Sequence, residues 1–507
     1  VNPIRRFVRS IRATFATAAK RVKRRLYASY DAAQSSPETD DYWAWSDSLN
    51  ANAANSPEVR KTLRERARYQ RDNDGHLSGL VEKIARDLVG SGPRLQILFS
   101  SWADPDFGTE MQVPAGAAHK VELRFVEWCR RVGLARKLRV MHETRIIDGE
   151  AFALMITNSA APENEPTLDL KLYEADQIDT PFFLGYDQSE FPGGRMDQSG
   201  NVVAWHILKT HPGSYVWATD PYGFDEVPAS LMVHWTKQRR AGQIRGVPEI
   251  TPGLNLYAYI RRYTLAVLGS AETAAKIAGI LEVDAPPPTD SGDDPPAIEA
   301  MDEVPIPRGA LLTTYGKVSQ LKAEQPTTQY QAFKAEVLTE AGAALGAPRN
   351  AATNSSAEYN YSSGRLDHLP YERMISVLRG DLREVALDRI FRAWLFEAIR
   401  IPGYLPDNLP PMSAWSWEWH YDGFDSIDPL KDAKTDETNL RNGMTTLARI
   451  YGRSGQDWEA SMRQRARELA LGQQLEAEMK LPPGSLTGLS PPKPEVVLDG
   501  TEQTAAA

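Results

Sequence analysis

The side chains in this chain whose type and spacing could do chemistry are few, and the tightest grouping is Asp148-Gly149-Glu150. Two carboxylates one residue apart can hold a divalent metal or divide general-acid and general-base roles. An Asp-Gly pair directly before a strand pattern is, however, first of all a turn, and that is the reading adopted. His142-Glu143 lacks the second histidine of a zinc helix. His76, His119, His206, His211, His234, His368 and His420 show no metal-ligand spacing. Gly316-Lys317 has neither the upstream glycine nor the following Ser or Thr of a phosphate loop. Ser362 and Ser363 have no identifiable base. No catalytic residue, metal ligand or cofactor site is assigned, and the chain is read as a non-enzyme.

Composition narrows the class further. The 507 residues are 42% hydrophobic, enough for two to four structural units with substantial cores. Cys129 is the one cysteine, so no intrachain disulfide can form. No run approaches the roughly 18 apolar residues that span a bilayer; the stretch Leu265 to Leu281 is interrupted by Ser270, Glu272, Thr273 and Lys276. A net charge of −9 argues against a protein that simply coats nucleic acid, because that task needs a basic surface to release counterions. Val1 to Tyr30 nevertheless carries nine Arg or Lys and no acid, a pattern read as a solvated amphipathic arm rather than a nucleic-acid contact. The first residue is Val, which implies a removed initiator or a trimmed terminus.

The elements that must position these residues follow from periodicity. Ser56-Pro57-Glu58 predicts a helix start, with the helix running to about Arg71. Asp72 to Gly75 is a break, after which Leu77, Leu80, Val81, Ile84 and Leu88 recur at helical spacing until Gly90. A helix over Ala118 to Val132 precedes strand patterns at Ala151 to Thr157, Leu168 to Tyr173, Val202 to Leu208 and Leu231 to Trp235. This is a mixed α+β region to about residue 250. A helix of about 30 residues follows Pro252, and its Ala266, Ala271, Ala274, Ala275 and Ala278 would let neighbouring helices approach closely.

The acidic, proline-rich run Asp284 to Pro296 is predicted as loop, with strand-like pieces at Ala310 to Thr314 and Lys317 to Leu321. Thr327 or Thr328 is expected to cap a helix bearing Tyr330, Phe333, Val337, Leu338, Ala341 and Leu345. Arg349 to Ser363 reads as a polar loop. Beyond it Leu366 to Ile399 forms a long helix with Pro370 as a kink, about 45 Å long from Tyr371 onward. Trp415, Trp417 and Trp419 alternate on one strand face for core or interface packing. Helices over Ile427 to Tyr451 and Asp457 to Met479 lead to a tail from Pro482.

Four segments then fall in one order: Arg64-Glu-Arg-Ala-Arg-Tyr-Gln-Arg-Asp-Asn73, Gly242-Gln-Ile-Arg-Gly-Val-Pro248, Asn360-Tyr-Ser-Ser-Gly-Arg365 and Ile427-Asp-Pro-Leu-Lys-Asp-Ala433. Together they resemble the lambda-type portal proteins of tailed bacteriophages. The resemblance implies a closed ring of about twelve copies around a central channel. Double-stranded DNA would be packaged through it by the terminase large subunit and later ejected. It implies a capsid-vertex location after assembly in the host cytoplasm, and contacts with the major capsid or scaffold protein and with head-completion or tail proteins.

On that resemblance the chain divides into a basic arm (1–30), a wing (31–250), a stem helix (251–281), a clip (282–327), a second stem helix (328–346), a tunnel loop (347–365), a long channel helix (366–400), a C-terminal wing and crown (401–481) and a tail (482–507). Asp290, Asp293, Asp294 and Lys317 would dock partners at the clip. Arg349, Asn354, Ser355, Tyr359, Asn360, Tyr361, Ser362, Ser363 and Arg365 would form the tunnel loop. Its Asn, Ser and Tyr side chains offer weak, exchangeable contacts to sliding DNA, while Arg349 and Arg365 either grip the backbone or pair with acids between subunits. A ring charge on the order of −100 would keep DNA centred. Alternatives are another head-tail connector or minor capsid protein, and a DNA-processing enzyme built on Asp148 and Glu150.

Overall fold

The computed structural model describes residues 48–99, 116–180, 190–214, 223–276, 280–282, 317–319, 329–357, 359–424, 429–453, 456, 458–482 and 484–486. The basic arm, Asp290, Asp293, Asp294, the strand expected at Ala310 to Thr314 and most of the tail lie outside them. The described residues fall into two compact units, one holding 48–56 with 240–243 and one holding the remainder. In the first, helix α1 (Ala51–Ala54) starts under Asn50, whose side chain accepts from the amides of Asn52 (3.1 Å) and Ala53 (2.8 Å). Asn52 Nδ2 and Arg240 Nη2 tie the two stretches by donating to the carbonyls of Gly242 (3.0 Å) and Leu49 (2.9 Å).

The second unit begins with α2 (Pro57–Asn73) and α3 (Gly75–Val89). Asp74 separates them because its carboxylate caps the amides of His76 and Leu77, and Gly90 at φ 59° ends α3. All five apolar positions read on α3 are buried. Strand β1 (Arg94–Phe99) follows, then α4 (Ala117–Val132) and α5 (Leu134–Asp148). Neither β1 nor α5 is marked by the sequence. α5 buries His142, Arg145 and Asp148 along with Leu138 and Ile146, so its inward side carries no apolar stripe.

Strands β2 (Glu150–Thr157), β3 (Leu168–Tyr173), β4 (Glu190–Phe191), β5 (Gly194–Met196), β6 (Val202–Leu208), β7 (Phe224–Pro228) and β8 (Met232–Thr236) make two antiparallel sheets, ordered β3-β2-β8 and β4-β5-β6-β7. The four strands expected between Ala151 and Trp235 are present, and β4, β5 and β7 are additional. In the first sheet Phe152 sits opposite Tyr173 on one side and His234 on the other. Phe152, Phe191, Trp205 and Met232 form a small core where the sheets meet.

Helix α6 (Thr251–Lys276) packs on α7 (Tyr330–Ala343). They come close at Gly253, where a Cβ would lie 2.5 Å from the Ala341 carbonyl oxygen. The close approach thus rests on a glycine near the start of α6, while Ala266 in the alanine-rich stretch is exposed. Between these helices, β9 (Ile280–Glu282) pairs antiparallel with β10 (Lys317–Ser319). Gln329, with no side-chain hydrogen bond, occupies the N-cap of α7 where Thr327 or Thr328 was expected; both threonines lie outside the described residues.

The segment expected as one loop from Arg349 to Arg365 is divided. Residues Arg349–Thr353 form a short helix, α8, and α9 (Tyr361–Leu382) starts five residues before the expected Leu366. The cause is a capping box: Asn360 accepts from the amide of Ser363, and the Ser363 hydroxyl accepts from the amide of Asn360. α9 continues through Pro370. The α register is interrupted instead by a π turn at Arg383–Leu387, after which α10 (Asp388–Ala398) completes the long helix.

Strand β11 (Trp415–His420) pairs antiparallel with β1, placing Leu95 opposite Trp419 and Phe99 opposite Trp415. The alternating indoles do face a core: Phe125, Phe391 and Trp394 interlock with them, with ring centroids 5.2 Å apart for Phe391 and Trp417 and 5.9 Å for Phe125 and Trp419. Each such fully buried ring contributes about 2 to 3 kcal/mol. Asp388 Oδ1 accepts from both Trp417 Nε1 and Trp419 Nε1 at 2.8 Å, fixing the strand on α10. The last helices are α11 (Pro429–Arg441), α12 (Leu447–Arg453) and α13 (Trp458–Glu478). The single helix expected to reach Tyr451 is split because Gly443, at φ 68°, closes α11. Among the described residues, no helix is long and apolar enough to cross a membrane.

Candidate functional site

Asp148 and Glu150 come together as the turn reading requires, at the junction of α5 and β2. Gly149 between them adopts φ 88°, and a Cβ there would lie 2.3 Å from the Val247 carbonyl carbon. Only glycine satisfies both the turn and the close passage of the 246–248 backbone. Glu150 is completely buried and saturated with donors. Arg245 Nε reaches its two oxygens at 2.9 and 3.0 Å, His234 Nε2 lies at 3.0 Å, the Gly246 amide donates at 3.0 Å, and Arg64 Nη2 completes the set. Arg68 grips Asp148 with both Nε (2.8 Å) and Nη2 (2.6 Å).

The electrostatics match that geometry. Burial alone would raise the Glu150 carboxyl, but the charges of Arg245 and Arg64 and the His234 hydrogen bond outweigh it, holding it well below the usual carboxylate range. Asp148 is moved upward, because its burial exceeds what Arg68 returns. The nearby Arg60 guanidinium is lowered to about 10 by burial and by its neighbour Arg245. With two guanidiniums, an imidazole and a backbone amide on its oxygens, the Glu150 carboxylate has no position left for a metal or a substrate proton, so this cluster is read as structural. Sequence reading missed its meaning. Arg64 and Arg68 come from the first of the four ordered segments, and Arg245 to Pro248 from the second.

Tertiary structure also assembles Glu174, Asp176 and His211, whose ligand atoms lie within 4.8 Å of one another. Asp176 is already paired with Arg64 (3.1 Å) and Arg68 (2.6 Å). Those guanidiniums supply the positive charge a metal would bring.

The polar segment after α7 has a different character. Asn354, Ser355, Ser356, Ala357, Asn360 and Ser362 are exposed and uncharged. Asn354 ends α8 in the left-handed region at φ 53°, and Ser355 N–H donates to the Asn350 carbonyl at 3.2 Å. Of the residues assigned to the loop, Arg349 and Asn354 belong to α8 and its cap, Ser355, Tyr359 and Asn360 lie in the connection, and Tyr361, Ser362, Ser363 and Arg365 belong to α9. Arg349 pairs within its own subunit, Nη1 lying 2.5 Å from Glu336 on α7. Arg365 is exposed and, with His368 and Glu372, lines a groove of about 1520 Å³ whose far wall carries Asp432 and Asp436 of α11. Lys317 begins β10.

Comparison with known proteins gives this arrangement its context. The chain matches the model of the phage portal protein, lambda family, over residues 39–379. A probable portal protein of Halomonas phage phiHAP-1 is 22% identical over 435 residues, covering 82% of this chain and 81% of that one. Similar solved structures are a chain in the virion of a native gene transfer agent particle (13% identity, TM-score 0.37) and one in the neck of the empty particle computed with C6 symmetry (13% identity, TM-score 0.41). In both cases 79% of this chain and 94% of the other are covered. With the family model spanning about two thirds of its length, this chain belongs to the lambda family of phage portal proteins.

Proposed function

We propose that this portal protein works as a ring of subunits at one capsid vertex, around a channel through which double-stranded DNA is packaged and later leaves. The observation that carries the reading is the Asn- and Ser-rich stretch before and at the start of α9, where Asn354, Ser355, Ser356, Ala357, Asn360 and Ser362 are exposed and uncharged, within a family of portal proteins. Duplex DNA held by fixed cations releases counterions and binds tightly, which opposes sliding; Asn and Ser hydroxyls and amides exchange their hydrogen bonds with water at little cost. Pairing of Arg349 with Glu336 removes one cation from that surface. Arg349 to Arg365 therefore serves as the channel-facing segment, α6 and α7 as the stem, and the 282–327 region with Asp290, Asp293, Asp294 and Lys317 as the surface for the packaging motor and, later, head-completion or tail proteins.

Ring formation has support in the faces left exposed. Tyr259, Leu265 and Leu268 on α6 are 68%, 64% and 60% exposed, more apolar surface on one helix than a free-standing subunit favours. A head-to-tail contact repeated around a closed ring would cover it. The structural reading of Asp148 and Glu150 removes the ground for a DNA-processing enzyme, since that reading rested on this pair.

Two measurements test the proposal. Light scattering and negative-stain imaging of the purified protein should show a ring of about twelve subunits with a central hole. Replacing Asn360 to Ser363 with lysines should slow or stall packaging, and an unchanged packaging rate in rings of normal appearance would sink the sliding mechanism.

A further inference from the structure

The polar segment is fastened to α9 at two adjacent positions. Asp367 Oδ2 accepts from the backbone amide of Arg349 at 3.1 Å and from the hydroxyl of Tyr359. One residue on, His368 Nε2 meets Asn350 Nδ2 at 2.9 Å. A single carboxylate oxygen therefore gathers the start of α8 and the end of the connection, closing residues 349–359 into a compact turn. Both fastenings lie near the start of α9, which the Asn360 capping box holds in place. The Tyr359 hydroxyl is pushed up to about 12 by burial and by Asp367, so it remains a proton donor under all ordinary conditions.

We infer that Asp367 is a positioning residue that sets how far the exposed surface of residues 354–357 and Asn360 projects from α9. This rests on the reading of that surface as the one DNA passes. Without the carboxylate, the start of α8 and Tyr359 lose the single atom that holds them together, and the six-residue connection 354–359 is long enough to extend to about 20 Å at about 3.3 Å per residue. Loop closure costs entropy that only the retained contacts offset, so loss of the Asp367 pair shifts the segment toward the open ensemble. Arg349 is held by Asp367 through its backbone and by Glu336 through its side chain, so the same carboxylate also links the segment to α7.

The test uses the assembled full-length protein and four variants: Asp367→Ala, Tyr359→Phe, the two combined, and Asp367→Asn. Hydrogen exchange read by mass spectrometry should rise about tenfold or more over residues 354–360 in either single variant, with α6 and α7 unchanged. The combined variant should exchange no faster than Asp367→Ala, because both changes break one contact. Asp367→Asn keeps an acceptor and should return most of the protection. Tyr359→Phe removes one hydroxyl, so it carries the test if Asp367→Ala does not assemble. Unchanged exchange over 354–360, or additive effects, overturns the assignment. The amount of DNA packaged per particle should fall in the same variants, and exchange that rises with packaging unaltered overturns the positioning role. The lysine replacement of Asn360 to Ser363 separates the two ideas: if it too leaves packaging unaltered, the channel-facing reading has failed, and the clasp is judged on exchange alone.

Discussion

The charge cluster around Glu150 and the polar segment before α9 both draw on the ordered family segments, yet they are built on opposite principles. At Glu150, the buried Arg64 and Arg245 and the partly buried Arg68 and His234 close on the buried carboxylates of Asp148 and Glu150, so each charge depends on the others. Around the start of α9, Asn354, Ser355, Ser356, Ala357, Asn360 and Ser362 are neutral and exposed, and a few hydrogen bonds to Asp367, His368 and the Asn360 cap hold the segment. The first region trades exchangeability for rigidity. The second keeps a defined backbone while leaving its surface free to exchange partners. A subunit that must stay rigid while DNA moves past it needs both.

The comparison can be broken first at its rigid end. Glu150→Gln should cost about 3 to 5 kcal/mol, because Arg245 remains buried without its counter-charge and Arg64 keeps only Asp176. Denaturant unfolding measures this, and a loss below 1 kcal/mol would show that the cluster is not interdependent. Acid should act on the same region. The Glu150 carboxyl is held below its unfolded value, so its contribution is present above about pH 4.5 and is lost as pH falls through the folded value. Nearby His142 is fully buried, stacked on Trp235, and shifted well below 6.5 by burial and by Arg145. The unfolded chain takes up that proton first, so stability is full above about pH 6.5 and declines below it. His142→Phe should flatten the decline between pH 6.5 and 5, and an unchanged slope in thermal melts would assign it elsewhere.

Smaller effects are expected at the exposed end. Ser363→Ala removes one half of the capping box and should cost about 1 kcal/mol, with fraying confined to the first turn of α9. Arg349→Ala removes a pair with an exposed glutamate and should cost about 0 to 1 kcal/mol. A loss above 2 kcal/mol in unfolding experiments would mean the polar segment is as interdependent as the Glu150 cluster, and the contrast would fail.

Periodicity made much of the fold legible. The five apolar positions of α3 are all buried, β6 runs over the residues expected, and Trp415 and Trp419 face the core. Each of these elements buries one face of hydrocarbon, and that leaves a repeat of 3.6 or 2 in the chain. α5 left no such trace because it buries Arg145, His142 and Asp148. β1 was silent because its partner β11 lies far along the chain, His420 and Gln96 being 324 residues apart. In the polar segment, its composition was readable but its shape was not: the Asn360 cap extends α9 backward and moves Ser362, Ser363 and Arg365 from loop to helix.

The sequence by itself determined the family, the mixed helical and sheet class and the Asn- and Ser-rich composition of the segment from Asn354 to Ser363, because these reside in local order and residue type. Tertiary structure alone decided that Arg64, Arg68 and Arg245 converge on Asp148 and Glu150, and that Asp367 gathers Arg349 and Tyr359. Hydrogen bonds and ion pairs between distant segments depend on where the backbone brings their atoms to within about 3 Å, and no local repeat in the chain encodes that distance.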